Sequence, residues 1–323
     1  MNRTLRALLQ FTVLSLLAKV RCYGSGILRR DSKHVIVTVD SMGGTANLYE
    51  SAASYSDKYK VGSPVHVDSQ ANQADVDIKK SSRSVVIVGA LRSAEQQFVK
   101  SLDSLRSICE KFISCTMLIV ENDSNDGTAS ALKAYAKQYK NIMVLMGEGL
   151  DVVSSSRTRH LATARNLLLD FVQENYASRD FLIMADLDGM TFEPVEAFMK
   201  PLSEQGWDVM TYNSANYYDF WALRCGSRTE NCWNRAPNTC YDEFPCIRDL
   251  QRGASRVEVD SAFQGIAVYK IPMIGSCKYN GTNAEPHAQT DEDCEHVAFH
   301  RCLRSQGAKI YISASRLSTR QRQ

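Results

Sequence analysis

The stretch FLIMADLDGM, residues 181–190, joins five apolar residues to two aspartates that stand one residue apart. The apolar run predicts a buried strand. One Asp after a strand is ordinary turn chemistry, but Asp186 and Asp188 on an extended segment would point the same way, with Leu187 turned into the core. Mg²⁺ and Mn²⁺ accept two carboxylates when phosphates supply other ligands. We therefore predict a Mn²⁺ or Mg²⁺ site at Asp186 and Asp188, with a pair of turn aspartates as the alternative.

Outward from this stretch, strands alternate with helices along the chain. The strand patterns are VVIVGA (85–90), TMLIVE (116–121), IMVLM (142–146) and FLIMA (181–185). Helical spacing of apolar residues appears over 98–108, 129–139 and 158–175. This alternation predicts an α/β fold, a mostly parallel sheet flanked by crossover helices. Ligands of such sheets gather beyond the carboxyl ends of the strands, so the residues after each strand are the candidates for binding.

Polar residues follow the first two of these strands. Arg92 comes after the first, and the segment VENDSNDGT (120–128) after the second. Carboxylates accept hydrogen bonds from N–H and O–H donors. We predict that Glu121 and Asp123 bind the base and ribose of a nucleotide, with a turn and helix cap as the alternative, and that Arg92 binds substrate.

Two later segments carry further candidates for substrate binding. In RHLATARNLLLDF (159–171), Arg165 lies between core positions, where a charge needs a partner. A diphosphate or the carboxylates would serve, and so would an ordinary salt bridge. Tyr218 and Asp219 follow the predicted strand DVMTY (208–212), which fits a loop on the acceptor side. The aromatic residues around them suit either stacking on a sugar or core packing.

The segment TDEDCEHVAFHRCL (290–303) holds the last cluster. Glu292, His296 and His300 would share one face of a helix. The cluster is not a zinc-protease signature, because that needs Glu directly after the first His and position 297 is Val. A capped, solvated helix is the alternative to a functional cluster.

The order of these segments resembles the GT-A glycosyltransferases, over residues 83–315. The resemblance implies a GT-A-like, Rossmann-like fold in which the DxD-type motif, here Asp186 and Asp188, holds a divalent ion on the diphosphate of a nucleotide sugar. It assigns Asn166, in the ARN motif, to the substrate site together with Arg165. It also implies that His296 or His300 completes the metal shell and that Asp293 or Glu295 deprotonates the acceptor hydroxyl.

A looser similarity points to the fungal capsule α-1,3-mannosyltransferase family. The segments that carry it are NYYDFWALR (216–224), SAFQGIAVYK (261–270) and CEHVAFH (294–300). This similarity implies mannose and GDP-mannose, with a UDP-sugar as the other candidate donor.

The cysteines and the N-terminus indicate the compartment. Four of the ten cysteines, Cys225, Cys232, Cys240 and Cys246, crowd into one polar insertion, which favours disulfides in an oxidising compartment over a zinc cluster or free thiols. Residues 1–22 read as a signal peptide or short membrane anchor, because their apolar run is too short for an ordinary span. The sequon Asn280-Gly281-Thr282 agrees with passage through the secretory pathway, to the Golgi or ER lumen or outside.

The sequence therefore predicts three parts: the N-terminal signal or anchor, a stem or extension over 23–80, and a catalytic domain over 81–323. The net charge of +2 implies no broad nucleic-acid surface. The predicted activity is metal-dependent transfer of a sugar from a nucleotide-diphosphate sugar to a hydroxyl of a glycan or glycoconjugate. A nucleotidyltransferase of the same fold is an alternative, although GALRSAEQQ (89–97) lacks its Gly-rich, Lys-containing loop. A non-catalytic sugar-binding protein is the other.

Overall fold

The computed structural model describes residues 27–29, 36–40, 81–94, 97–148, 156–214, 217–226, 244–283 and 291–317. In these residues the strands are β1 (Ile27–Arg29), β2 (Ile36–Asp40), β3 (Ser81–Leu91), β4 (Phe112–Asn122), β5 (Ile142–Glu148), β6 (Phe181–Ala185), β7 (Val209–Ser214), β8 (Arg256–Val259), β9 (Ile266–Lys270) and β10 (Ile310–Leu317). The α-helices are α1 (Gln97–Cys109), α2 (Thr128–Ala136), α3 (Arg157–Asn175), α4 (Val195–Met199), α5 (Pro245–Gln251) and α6 (Glu295–Ser305), and short 3₁₀ helices span Lys200–Ser203 and Ile271–Met273.

All of these strands form one mixed sheet, in the order β1-β2-β5-β4-β3-β6-β9-β7-β10-β8. β5, β4, β3 and β6 pair in parallel, and so do β7 and β10. β9 lies between β6 and β7 and runs antiparallel to both. Most strands therefore point the same way, and the predicted α/β fold with a mostly parallel sheet flanked by helices is confirmed.

The central strands are buried on both faces, as their continuous apolar runs predict. Val86 and Val88 of β3 belong to the core that contains Leu168 of α3. Val85 and Ile87 belong to the core that contains Phe98 of α1. Since successive residues of a strand face opposite sides, α3 and α1 cover opposite faces of the sheet.

The strand order reverses at β3. The chain runs outward from β3 through β4 to β5, and then returns to place β6 on the other side of β3. In doubly wound sheets this reversal opens a crevice at the carboxyl ends of the two strands. Gly89 allows β3 and the segment after β6 to approach here, because a Cβ at this position would lie 2.7 Å from the Leu187 side chain. Asp186 and Asp188 therefore lie beside this crevice.

Disulfides join Cys109 to Cys115, Cys225 to Cys246 and Cys277 to Cys302. The predicted disulfide in the 225–246 insertion is confirmed for Cys225 and Cys246, while Cys232 and Cys240 lie outside the described residues. Cys294 is a buried free thiol.

The predicted N-terminal signal or anchor also lies outside the described residues. Of the predicted stem or extension, the structure describes β1 and β2, and β2 pairs antiparallel with β5. None of the helices in the described parts of the chain is long and apolar enough to cross a membrane.

Candidate active site

The centre of the candidate site is the carboxylate pair that follows β6. The Asp188 side chain is exposed, and the Asp186 side chain is 30% exposed. The backbone N–H of Asp186 donates to the carbonyl of Gly265 at 2.8 Å, which fixes the start of the pair against the segment before β9. Burial raises the pKa of Asp186 to about 6, against the opposing effect of the Arg165 cation and with a contribution from the negative charge of Asp188. The negative charges of the two carboxylates therefore repel each other, and a bound cation would offset this repulsion.

Arg165 of α3 connects this pair to the start of α6. Its Nη2 donates to Oδ1 of Asp186 at 2.8 Å, and its Nη1 forms an ion pair with Oε1 of Glu295. The side chains of Arg165 and Glu295 are each only 5% exposed. The buried charge of Arg165 thus has two carboxylate partners, which is one of the arrangements that the sequence left open.

Tyr218 and Asp219 lie in the loop after β7, where Gln264 holds their backbone. The Oε1 atom of Gln264 accepts from the N–H of Tyr218 at 3.2 Å and from that of Asp219 at 3.1 Å. Its Nε2 donates to Oγ of Ser214 at the end of β7, at 2.7 Å. The buried Gln264 was not identified from the sequence, because its role depends on contacts with residues about 50 positions away.

The charges around Asp219 show that this loop belongs to the same site. Burial raises the pKa of Asp219 to about 7, and the charge of Asp186 adds to this, while Arg165 and Arg157 oppose it. Burial and the neighbouring Asp186 also raise the pKa of Tyr218. The structure therefore brings Tyr218 and Asp219 together with Asp186 and Arg165.

The loops after β3 and β4 are tied together at the same sheet edge. Oε1 of the buried Glu121 accepts from the N–H of Ser124 at 3.1 Å, and Oγ of Ser124 accepts from the N–H of Ser93 at 2.8 Å. Ser93 and Asp123 adopt left-handed backbone conformations, with φ of 45° and 53°. Such conformations are uncommon for residues other than Gly and cluster at functional sites. Arg92 is exposed beside them.

The first turn of α3 adds a cation that the sequence reading missed. Arg157 is exposed, and its charge lowers the pKa of both Asp186 and Asp219 against the larger effect of their burial. The first turn of α3 contains no acidic residue. Helix N-termini favour negative charge, so basic residues in RTRH (157–160) are a signal of anion binding that the sequence does contain.

The late acidic segment lies differently from the helical face that its spacing predicts. The helix α6 begins at Glu295, so Glu292 precedes it. Oε1 of Glu292 instead accepts from Oγ of Ser156 at 2.7 Å and from the N–H of Thr158 at 3.0 Å, which caps the start of α3. The physical reason is that the unpaired N–H groups of a helix N-terminus attract a carboxylate.

Asp293, one of the two predicted catalytic carboxylates, is buried in an ion pair with Arg224. Nη2 of Arg224 lies 2.9 Å from Oδ1 and 3.1 Å from Oδ2 of Asp293. Oδ1 of Asp293 also accepts from the N–H of Cys294 at 2.8 Å. Asp293 and Glu295 are therefore both paired with buried arginines, one on each side of Cys294.

The two predicted histidine ligands lie in the core. Nδ1 of His300 is 3.0 Å from Oγ of Ser261, and its Nε2 is 2.9 Å from the hydroxyl of Tyr269. Burial, followed by the charge of Arg165, lowers the pKa of His300 to about 3, so it is neutral. Both ring nitrogens have partners, and this geometry argues against the predicted role in the metal shell.

His296 is also buried, and its ring stacks on Phe263 at 3.7 Å between centroids. Within the described residues neither ring nitrogen has a hydrogen-bond partner. Its Nε2 lies 3.7 Å from Oε1 of Glu295. Burial, and then the charge of Arg165, lowers the pKa of His296. His296 therefore adjoins the Arg165–Glu295 pair as a neutral ring.

The side chain of Asn166 bonds to the backbone of another segment, whereas the prediction placed it in the substrate site. Its Nδ2 donates to the carbonyl of Tyr279 at 2.9 Å, and its Oδ1 accepts from the N–H of the same residue at 2.8 Å. Both ends of the amide are used, so Asn166 fixes α3 to the 277–283 segment. This geometry argues against the predicted contact with substrate.

The residues that could hold a metal ion are Asp186 and Asp188. No group of three or more His, Cys, Asp or Glu side chains in the described ranges is placed to hold a metal ion. Mg²⁺ commonly takes one or two carboxylates and completes its shell with water and substrate phosphates. The repelling carboxylates at the crevice fit such an ion, while His296 and His300 are not brought together with them.

Comparisons with known proteins find likeness only among solved structures. No protein family model matches this chain, and no curated protein matches it. The chain is similar to the mannosyltransferase PcManGT from Pyrobaculum calidifontis in complex with GDP-Man and Mn²⁺, with a TM-score of 0.44 and 13% identity over 72% of this chain and 57% of that one. It is similar to S. aureus TarS 1–349 in complex with UDP-GlcNAc, with a TM-score of 0.43 and 15% identity over 75% of this chain and 59% of that one.

A third similar structure is glucosyl-3-phosphoglycerate synthase from Mycobacterium tuberculosis in complex with Mn²⁺, UDP and glucosyl-3-phosphoglycerate. Its TM-score is 0.43 and its identity 10%, over 79% of this chain and 78% of that one. The chain thus spans less than two thirds of the length of the first two structures. With TM-scores below 0.5, these likenesses carry no weight in assigning an activity.

Proposed function

We propose that this protein is a metal-dependent glycosyltransferase of the GT-A type, which transfers a sugar from a nucleotide-diphosphate sugar to a hydroxyl group. The observation that carries the proposal is the carboxylate pair Asp186 and Asp188 at the point where the strand order reverses. Ligands of open α/β sheets bind at this point. Arg165 bonds to Asp186, and the charge of Arg157 acts on the same carboxylate, so the site holds both the acidic and the basic groups that a metal–diphosphate complex needs.

Asp186 and Asp188 would hold Mn²⁺ or Mg²⁺. The ion, when bound, neutralises negative charge that builds on a departing diphosphate. Arg165 is already shared between Asp186 and Glu295, so it positions the carboxylate. Arg157 is exposed in the first turn of α3 and its charge acts on Asp186, so it is the better candidate for a direct phosphate contact.

The nucleoside end of the donor fits the loops after β3 and β4. Arg92 and Asp123 lie at this edge, and Glu121 shapes it through its bond to Ser124. Asp123 in its left-handed conformation is a candidate to accept hydrogen bonds from a ribose or base. The resemblance of segments 216–224, 261–270 and 294–300 to capsule α-1,3-mannosyltransferases points to mannose and GDP-mannose, with a UDP-sugar as the second donor.

The acceptor, a glycan or glycoconjugate, fits the side formed by Tyr218 and Asp219. Asp293 or Glu295 remains our candidate for the general base, which takes the proton of the acceptor hydroxyl. Ion pairs with Arg224 and Arg165 hold the carboxylates of Asp293 and Glu295 in fixed positions at the start of α6.

We further propose that the protein works in the secretory pathway, in the Golgi or ER lumen, or is secreted. The disulfides within the described residues support an oxidising compartment. Association with a membrane through residues 1–22 belongs to the same proposal.

The test is to identify the product released from purified protein. With Mn²⁺ and a panel of GDP-mannose, UDP-glucose and UDP-GlcNAc, we expect one donor to raise the melting temperature and to release its nucleoside diphosphate slowly to water. A chelator should abolish the release. Release of pyrophosphate from a nucleoside triphosphate and a sugar phosphate would indicate a nucleotidyltransferase. Stabilisation by a donor without turnover, even with glycan acceptors present, would indicate a binding protein.

A further inference from the structure

The sequon Asn280-Gly281-Thr282 lies on an ordered surface segment of the fold. This segment follows Cys277, which is bonded to Cys302 of α6. Thr282 forms an isolated antiparallel bridge with Glu292. The N–H of Asp293 donates to the carbonyl of Gly281 at 3.1 Å. The segment is therefore fixed between the start of α3 and the start of α6.

Gly281 packs against α3, and its two neighbours in the sequon are exposed. A Cβ at position 281 would lie 2.5 Å from the carbonyl carbon of Thr158, so this position admits only Gly and faces α3. Asn280 and Thr282 are exposed, and Oδ1 of Asn280 accepts from the N–H of Thr282 at 3.0 Å. Both recognition residues of the sequon are therefore open to solvent, while the middle residue packs against α3.

A second sequon, Asn122-Asp123-Ser124, provides a contrast within the same chain. Asn122 is the last residue of β4 and only 6% exposed. The hydroxyl of Ser124 accepts from the N–H of Ser93, and the backbone N–H of Ser124 donates to Glu121. A glycan on Asn122 would have to reach the surface through the loops that cover this edge of the sheet. A chain that carried one would not reach this fold.

We propose that Asn280 is an N-glycosylation site and that Asn122 is not, although both satisfy the sequence rule. The donor is a lipid-linked oligosaccharide diphosphate. The Nδ2 atom of Asn280 forms a bond to the anomeric carbon, the bond from that carbon to the phosphate oxygen breaks, and the amide loses one proton as the lipid diphosphate leaves. No electron transfer is involved.

This modification rests on our proposal of a secretory location, and it is independent of the transferase activity. The glycan would stand beside the start of α3, attached to a segment that the Cys277–Cys302 disulfide secures.

The experiment expresses the full chain, with its own N-terminus, in a eukaryotic secretory host. The purified protein is treated with an amidase that removes N-glycans in ¹⁸O water, and the peptides are mapped by mass spectrometry. We expect Asn280 to be converted to ¹⁸O-labelled Asp in most molecules, and Asn122 to remain Asn. Peptide-level mapping separates both from the third sequon at Asn2, which lies outside the described residues.

Two exposed variants provide matched controls. Thr282→Ala should abolish labelling at Asn280, and Thr282→Ser should retain it. An unlabelled Asn280 in the parent protein overturns the proposal, and so does labelling at Asn122. Alkylation of thiols before reduction shows which premise failed: a free Cys277 means that the chain did not reach an oxidising compartment, whereas a protected Cys277 beside an unlabelled Asn280 means that the surface assignment is wrong.

Discussion

Two acidic segments of this chain look alike in sequence and are used differently in the structure. Asp186 and Asp188 follow β6, repel each other at the crevice, and leave Asp188 exposed. The four carboxylates of residues 291–295 each have a defined partner. Asp291 pairs with Arg159, Glu292 caps the start of α3, Asp293 pairs with Arg224, and Glu295 pairs with Arg165. The denser acidic segment is therefore the better neutralised one.

Three of those four partners belong to α3, so the late segment fastens α6 to α3. The difference teaches that the density of acidic residues does not identify a cation site, because nearby cations and helix N-termini decide which carboxylates keep unbalanced charge. Substitutions in the first segment should affect chemistry, and substitutions in the second should affect mainly stability. Asp293 and Glu295 are exceptions, because we propose that one of them is the general base.

The largest effect is expected for Asp188→Asn. Loss of one carboxylate from the metal site should lower kcat by about 1000-fold or more, because a catalytic metal contributes several kcal/mol to the transition state. The melting temperature should change little, since the side chain is exposed. The matched control is Asp291→Asn, which removes a carboxylate that is 82% exposed and should retain activity. Equal activity of the two variants would end the distinction between the segments.

The next largest effect is expected for Arg165→Met, which should lower the free energy of unfolding. This variant leaves the carboxylates of Asp186 and Glu295 without their cation, and removal of one partner of a buried pair costs about 3 kcal/mol or more. Chemical denaturation should show this loss in the free energy of unfolding. The double variant Arg165→Met with Glu295→Gln should recover part of it, because one unpaired charge is removed. An Arg165→Met protein as stable as the parent would show that the Arg165 pairs are not formed.

The third prediction concerns Asp293 and Glu295, the two candidate general bases in the late segment. If Asp293 is the general base, Asp293→Asn should lower turnover by about 100-fold with little change in donor affinity. Glu295→Gln makes the same test for the other candidate. Turnover with acceptor and donor binding by calorimetry would be measured for both. Normal turnover in both variants would show that the late segment is purely structural.

The smallest effect is expected for Glu292→Gln, and it depends on pH. Hydrogen bonds from Thr158 and Ser156 lower the pKa of Glu292 in the folded protein. The stabilisation by its charge is therefore present above the ordinary carboxylate pKa and is lost as the pH falls through the lowered value.

A charge near a helix N-terminus contributes about 0.5 kcal/mol, and Gln keeps the acceptor oxygen. Unfolding free energies of the parent and Glu292→Gln should thus differ at pH 7 and converge in acid. A difference that grows as the pH falls would contradict the capping role.

The sequence predicted local patterns well and side-chain partners poorly. The continuous apolar runs placed β3, β4, β5 and β6, and the helical spacing over 158–175 placed α3 almost to the residue. The position of the carboxylate pair at the sheet edge followed from the strand before it. These features depend on neighbours in the chain.

The roles of Asn166 and His300 could not be read in the same way. Asn166 bonds to a residue 113 positions away, and His300 bonds to Ser261 and Tyr269 on other elements. The sequence around a polar residue of a helix has the same pattern whether its side chain faces a ligand or a distant carbonyl. Arg157 differs from these residues, because its signal, a basic helix start at RTRH (157–160), is local in the sequence.

The position of β9 has a consequence for biosynthesis. β9 lies between β6 and β7, although both are made before it. β6 is an apolar strand that is fully buried in the finished fold. Until residues 266–270 leave the ribosome, the backbone N–H and C=O groups along one edge of β6 lack the strand that pairs with them. Exposed strand edges of this kind pair with other chains, and pairings between distant segments form slowly. The nascent protein therefore needs protection during this interval, and a chain truncated before residue 266 should aggregate.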